Sequence, residues 1–181
     1  MRLLGWLFWA TLSPILFLQL RGIGAPLEME GAAWGIVSLE LAFTSARAAE
    51  ILSLWKSAGV TESALVSLGV DGAFLVAYPM LLFTSMRLLL GRAVVAPHAL
   101  HRLGTPLAWA SLACIPLDAL ENVLLWRVVS DAAANGPGVE VSGSVILLAG
   151  IAASLKFLLI AAALVWMTAA LLHWRTTRSA R

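Results

Sequence analysis

The chain has 181 residues, 61% hydrophobic and only 12% charged, against roughly 45 to 50% apolar and about 25% charged in globular domains. That balance excludes an ordinary soluble domain and points to an all-α polytopic membrane protein, one integral domain over residues 1–181. The net charge of +2 carries no nucleic-acid signature, since the basic residues form no patch interleaved with aromatics, and the single Cys114 excludes an internal disulfide or a Cys-x-x-Cys centre.

In chain order, Arg2 precedes an uncharged run over 3–20 that carries Trp6 and Trp9. It exceeds the apolar core of a signal peptide, about 7 to 15 residues, and reads as a retained first span. Gly, Pro, Glu28 and Glu30 then mark a connection. Over 34–57, Glu40, Thr44, Arg47 and Glu50 recur every three or four positions among apolar residues. The pattern predicts one amphipathic helix lying at the outer interface, with Arg47 able to reach Glu50 or Glu40. Glu40 and Arg47 are therefore the expected supporting roof of whatever lies beneath.

Thr61 is an expected N-cap, and the second span, 64–86, is interrupted only by Asp71, with a kink expected at Pro79. Asp71 and Tyr78 share a face of it. Pro97, His98, His101 and Arg102 form a basic turn, which suits a lipid headgroup better than a metal. The third span, 106–126, contains Pro116 and then Asp118, Glu121 and Asn122. Asn135-Gly136-Pro137-Gly138 signals a loop, and the fourth span, 145–172, is broken only by Lys156, with Gly150, Ala153 and Ser154 beside it as small packing residues.

Four transmembrane helices in an up-down bundle plus one extracytoplasmic amphipathic helix follow from this reading. With a cytoplasmic N terminus, Arg2, Arg87, Arg92, Arg102, Arg175, Arg178 and Arg181 all fall inside, with no acid among them, while the acids flanking the spans fall outside. This positive-inside asymmetry places both termini in the cytoplasm and the protein in a bacterial inner membrane. A helical rise of about 1.5 Å per residue then puts Asp71, Asp118, Glu121 and Lys156 between about 8 and 16 Å from the outer ends of their spans.

A charge near the middle of a membrane helix costs about 2.5 to 3.5 kcal/mol on insertion scales, so these residues are expected to face one another, a cavity or a ligand. Lys156 is expected to neutralise Asp118 or Glu121. With three acids to one base, at least one acid must be protonated or bound to something cationic. Asp71, Tyr78, Asp118, Glu121, Asn122 and Lys156 are the candidate ligand-binding residues. No nucleotide, nucleophile or zinc motif is present, so no cofactor or metal is expected and no catalytic residue is assigned.

The segments Asp71-x-x-Phe74-x-x-x-Tyr78 and Asp118-x-x-Glu121-Asn122 resemble a group of small, uncharacterised bacterial multi-pass membrane proteins, a resemblance that implies no activity or cofactor. Three functions are compatible with the sequence. The first is a protein that binds a lipid or small amphipathic ligand, or serves as an accessory subunit, its partners being membrane lipids and a membrane protein or a second copy. The second is an enzyme using carboxylate acid/base chemistry on a lipid or isoprenoid, and the third a proton or cation pathway.

Overall fold

The computed structural model describes residues 2–92, 98–135 and 141–179. Pro97 of the expected basic turn and Gly136–Gly138 of the expected loop lie outside the described residues, whereas His98, His101 and Arg102, also expected in that turn, belong to a helix, His98–Ser111. The described chain is helical throughout apart from connections: α1 (Arg2–Gly24), α2 (Ile36–Glu40), α3 (Ser45–Ser57), α4 (Thr61–Arg92), α5 (His98–Ser111), α6 (Cys114–Asn135) and α7 (Gly143–Ser179). Three stretches are long and apolar enough to cross a membrane, namely Leu3–Leu27, Thr61–Gly91 and Gly143–Thr176.

Helix α1 is apolar on every side and leaves Leu4, Phe8 and Leu18 exposed, as a helix bathed in hydrocarbon should. It packs along α4, where the indole of Trp6 donates to Ser85 Oγ at 2.9 Å and the ring of Phe17 lies 6.2 Å from that of Phe74. Helix α4 continues through Pro79. The hydroxyl of Thr61 has no hydrogen-bond partner among the described residues and the residue belongs to the helix, so it is not the N-cap the sequence suggested.

Two expected elements are broken. The amphipathic stretch 34–57 is two helices: α2 starts only after a positive φ at Gly35, and the backbone leaves the helix again through positive φ at Phe43 before α3 begins. Thr44 then caps α3 by accepting from the Arg47 amide at 3.3 Å, which is how a threonine satisfies one orphan donor of a first turn. Gly150 explains where Phe43 goes, since a Cβ at that position would stand 2.7 Å from its ring. The expected packing of small residues on α7 is therefore used here by a loop side chain.

The stretch 106–126 is likewise not one helix. It breaks at Leu112 and Ala113, where the amides of 112, 113 and 115 bond three residues back, to Trp109, Ala110 and Leu112. Pro116 is the physical reason: it has no N–H and its ring crowds the carbonyl of residue 112, which the Ile115 amide takes instead.

Two apolar cores result. One joins Leu27, Leu39, Ile51 and Trp55 of the α1–α4 connection to Leu125 and Val129 of α6 and Ile146 of α7. The other joins Leu82, Met86 and Leu90 of α4 to Ala108 of α5 and Ala163, Trp166 and Ala170 of α7. We refer to them as the α3-end core and the α5-end core. Lys56 ties α3 to the end of α6 by donating to the Ala132 carbonyl at 3.0 Å, one of the last-turn carbonyls that lack a helical partner.

Candidate functional site

Between the two cores the facing helices turn polar. On α6 the one-turn spacing of Asp118, Glu121 and Asn122 puts all three toward neighbouring helices, and α7 contributes the only lysine at that level. The ammonium of Lys156 lies 2.7 Å from Asp118 Oδ1 and between the two oxygens of Glu121, at 3.0 Å from Oε1 and 2.8 Å from Oε2. Only the Oε1 contact has hydrogen-bond geometry. Asp118 is 2% exposed, Glu121 0% and Lys156 6%, so these charges are removed from solvent and must compensate one another.

Helix α4 completes the layer. Tyr78 donates its hydroxyl to Asp118 Oδ2 at 2.9 Å, and Asn122 donates its amide to Asp71 Oδ2 at 2.6 Å. Cys114 is buried and its thiol lies 3.8 Å from the Lys156 carbonyl, fixing α6 against α7 as a small packing residue does.

The third carboxylate at Lys156 comes from outside the long helices. Glu40, the last residue of α2, is 7% exposed and places Oε2 3.6 Å from the ammonium. Burial holds its carboxyl above the ordinary carboxylate range, with the charge of Lys156 opposing the shift. Of the two partners the sequence offered Arg47, the structure pairs it with Glu50, at 2.6 Å, and not with Glu40; Arg47 also donates to the Gly31 carbonyl, at the surface.

A cavity of about 400 Å³ opens beside this layer. Its polar side is Asp71, Tyr78, Asp118, Asn122, Lys156 and Glu40; its apolar walls come from Phe17 of α1, Phe74, Leu81 and Leu82 of α4, and Phe157 and Ile160 of α7. Residues Trp34–Val37 cover it, and Arg21, paired with Glu28 at 2.6 Å, stands at the same end. The structure therefore brings five of the six candidate ligand-binding residues to one cavity. Glu121 is the exception: it sits behind Asp118 as a partner of Lys156 and does not line the cavity, and Arg47 does not line it either.

Among the described residues no set of three His, Cys, Asp or Glu side chains has the arrangement of a metal site; Lys156 itself occupies the point on which the acids converge. No protein-family model, curated protein or solved structure matches this chain.

Glu40 is the member of the cluster that sequence reasoning misplaced. The seven-residue spacing from Arg47 suggested two turns of a continuous helix. The opposing signal was Thr44-Ser45 before an alanine-rich run, which is an N-cap pattern and separates Glu40 from α3.

Proposed function

We propose that the chain is an integral inner-membrane protein, both termini cytoplasmic, that binds a lipid or small amphipathic molecule in the cavity beside its polar layer. In this reading α5 and α6 together make the fourth crossing, and the α3 end faces outward, consistent with the arginines gathered at the opposite ends of the helices. Asp71, Tyr78, Asp118, Asn122 and Lys156 act as the polar side of the binding site, with Glu40 added to them.

The observation that carries the proposal is the cavity's division: a polar side at one level and apolar walls running along α4 and α7 past it. Pockets of 300 to 1,000 Å³ with a few convergent polar groups are the usual form of small-ligand sites. Charge conduction is the weaker reading, because the polar layer gives way on the α5 side to an apolar core of Leu82, Met86, Ala108, Ala163 and Trp166.

Native mass spectrometry of protein extracted in mild detergent tests the proposal. A retained amphiphile is expected in the wild type. Gly24 lines the cavity, and a Cβ there would meet nothing within 4 Å, so Gly24→Trp adds bulk at the cavity from a position where the first side-chain atom meets no neighbour. It is expected to lower the retained fraction by roughly tenfold, the equivalent of about 1.4 kcal/mol. No retained molecule in the wild type, or equal retention in the variant, overturns the proposal.

A further inference from the structure

The donors and acceptors of the polar layer do not balance: Glu121 Oε2 behind the layer and Glu40 Oε2 on the cavity side both lack a hydrogen-bond donor among the described residues. Asp118 uses one oxygen for Tyr78 and the other for Lys156, and Glu121 is held by the same ammonium. A lysine has three N–H donors, and these two carboxylates take its short contacts. Glu40, at 3.6 Å, is beyond hydrogen-bond reach; its Oε2 has no donor among the described residues, although the side chain is 90% buried and lines the cavity. Among the described residues Asp71 has a single donor, Asn122, on one oxygen, and it too lines the cavity. Arg21 does not serve them, being bound to Glu28. Two carboxyl groups with spare acceptor capacity thus face one space, and the lysine nearby is already shared among three acids.

We propose that the cavity selects a primary ammonium headgroup, held between Asp71 and Glu40, on an amphiphile whose tail runs along Phe17, Phe74, Leu82 and Ile160. This rests on the ligand-binding reading above and adds the chemistry of the ligand. A primary ammonium brings one positive charge and three N–H donors, which matches the deficit; a trimethylammonium brings the charge without the donors, and an anionic headgroup adds to the excess of negative charge. The length of the apolar walls suits a tail directed away from the polar layer: Asp71 to Leu82 on α4 spans about 16 Å of helix. The same headgroup chemistry occurs in an aminophospholipid and in a free long-chain amine.

Competition in nanodiscs, read by native mass spectrometry after extraction, tests the proposal. Phosphatidylethanolamine, phosphatidylcholine and phosphatidylglycerol with identical acyl chains would be offered together to the wild type, Asp71→Asn, Glu40→Gln and Gly24→Trp. Dodecylamine and dodecyltrimethylammonium would be offered separately as competitors.

Wild type is expected to retain phosphatidylethanolamine over phosphatidylcholine by about tenfold or more, the worth of a charge-assisted hydrogen bond. Asp71→Asn, which can still pair with Asn122, should bring that ratio near one, and Glu40→Gln should lower it. Displacement by dodecylamine but not by dodecyltrimethylammonium would extend the site to free amines, and displacement by neither would assign it to the lipid headgroup; both support the proposal. Equal retention of the ethanolamine and choline lipids, preference for phosphatidylglycerol, or a preference unchanged in Asp71→Asn overturns it while leaving the cavity a binding site. Retention that Gly24→Trp does not reduce means the lipid lies elsewhere and overturns the binding reading itself.

Discussion

At the α5 end, helix packs directly on helix. Trp166 of α7 enters the space left by Gly104 of α5 and donates its indole N–H to the Leu100 carbonyl at 2.9 Å. At the α3 end the corresponding space is filled from a connection: Leu27, Leu39 and Trp55 are fully buried there, and the Trp55 indole donates to the Leu27 carbonyl at 3.1 Å. Among the described residues, the first end is closed by helix-on-helix packing of α4, α5 and α7. The second is completed by a segment whose path depends on single backbone turns at Gly31, Gly35 and Phe43, and the cavity lies on its underside. A polar layer separates the two ends, and its ionisable side chains come from four separate elements, α2, α4, α6 and α7.

Lys156→Met should break this arrangement most severely. Removing the base leaves Asp118 and Glu121 buried without a counter-charge, and deleting one partner of such a set costs about 3 to 5 kcal/mol. Thermal unfolding in nanodiscs should show a large loss of stability, with partial recovery when Asp118→Asn and Glu121→Gln are added. If Lys156→Met is as stable as the wild type, the three acids are not held by this ammonium.

An intermediate effect is expected at the α5 end. At Gly104 a Cβ would stand 2.6 Å from an atom of the Trp166 indole and 2.9 Å from Leu90. Gly104→Ala must shift the ring, and overpacking of this kind costs about 1 to 3 kcal/mol. Because the cavity belongs to the other end, ligand retention measured on the folded fraction should not change. A simultaneous loss of retention would show that the two ends are coupled through α4 and α7.

What could be read from the sequence follows from what helices conserve. A fixed rise and a fixed angle per residue turn positions into depths and faces, so the meeting of Asp118 and Glu121 with Lys156, and of α4 with α6 through Asp71 and Tyr78, was open to sequence reasoning. The positions where the backbone leaves the helix were not. Pro116 is visible in the sequence, but whether it kinks a helix or ends one depends on which carbonyls find new donors, here through the short-range bonds around Leu112. Glu40 was misread for the same reason: its entry into the polar layer requires positive φ at Gly35 and at a phenylalanine, and Phe43 adopts it against Gly150 on a distant helix. A cavity with this polar side was open to sequence reasoning; its volume and its apolar walls from α1, α4 and α7 were not, since they depend on how the helices stand apart.

The smallest effect is expected where the sequence placed part of the roof. The Arg47 and Glu50 side chains are 40% and 58% exposed, and ion pairs of that kind contribute about 0.2 to 1 kcal/mol. Arg47 also donates to the Gly31 carbonyl, so Arg47→Ala removes one tie between α3 and the preceding loop. It should lower stability by less than about 1 kcal/mol and leave amphiphile retention unchanged, in contrast to Glu40→Gln, although both residues come from the same 34–57 stretch. If Arg47→Ala reduces retention as much as Glu40→Gln does, the loop tie at Gly31 controls how α2 sits over the cavity. The roof would then be α3 and α2 together, as the uninterrupted pattern of the sequence implied, and the break at Phe43 would matter less to the site than the shared burial of the two helices.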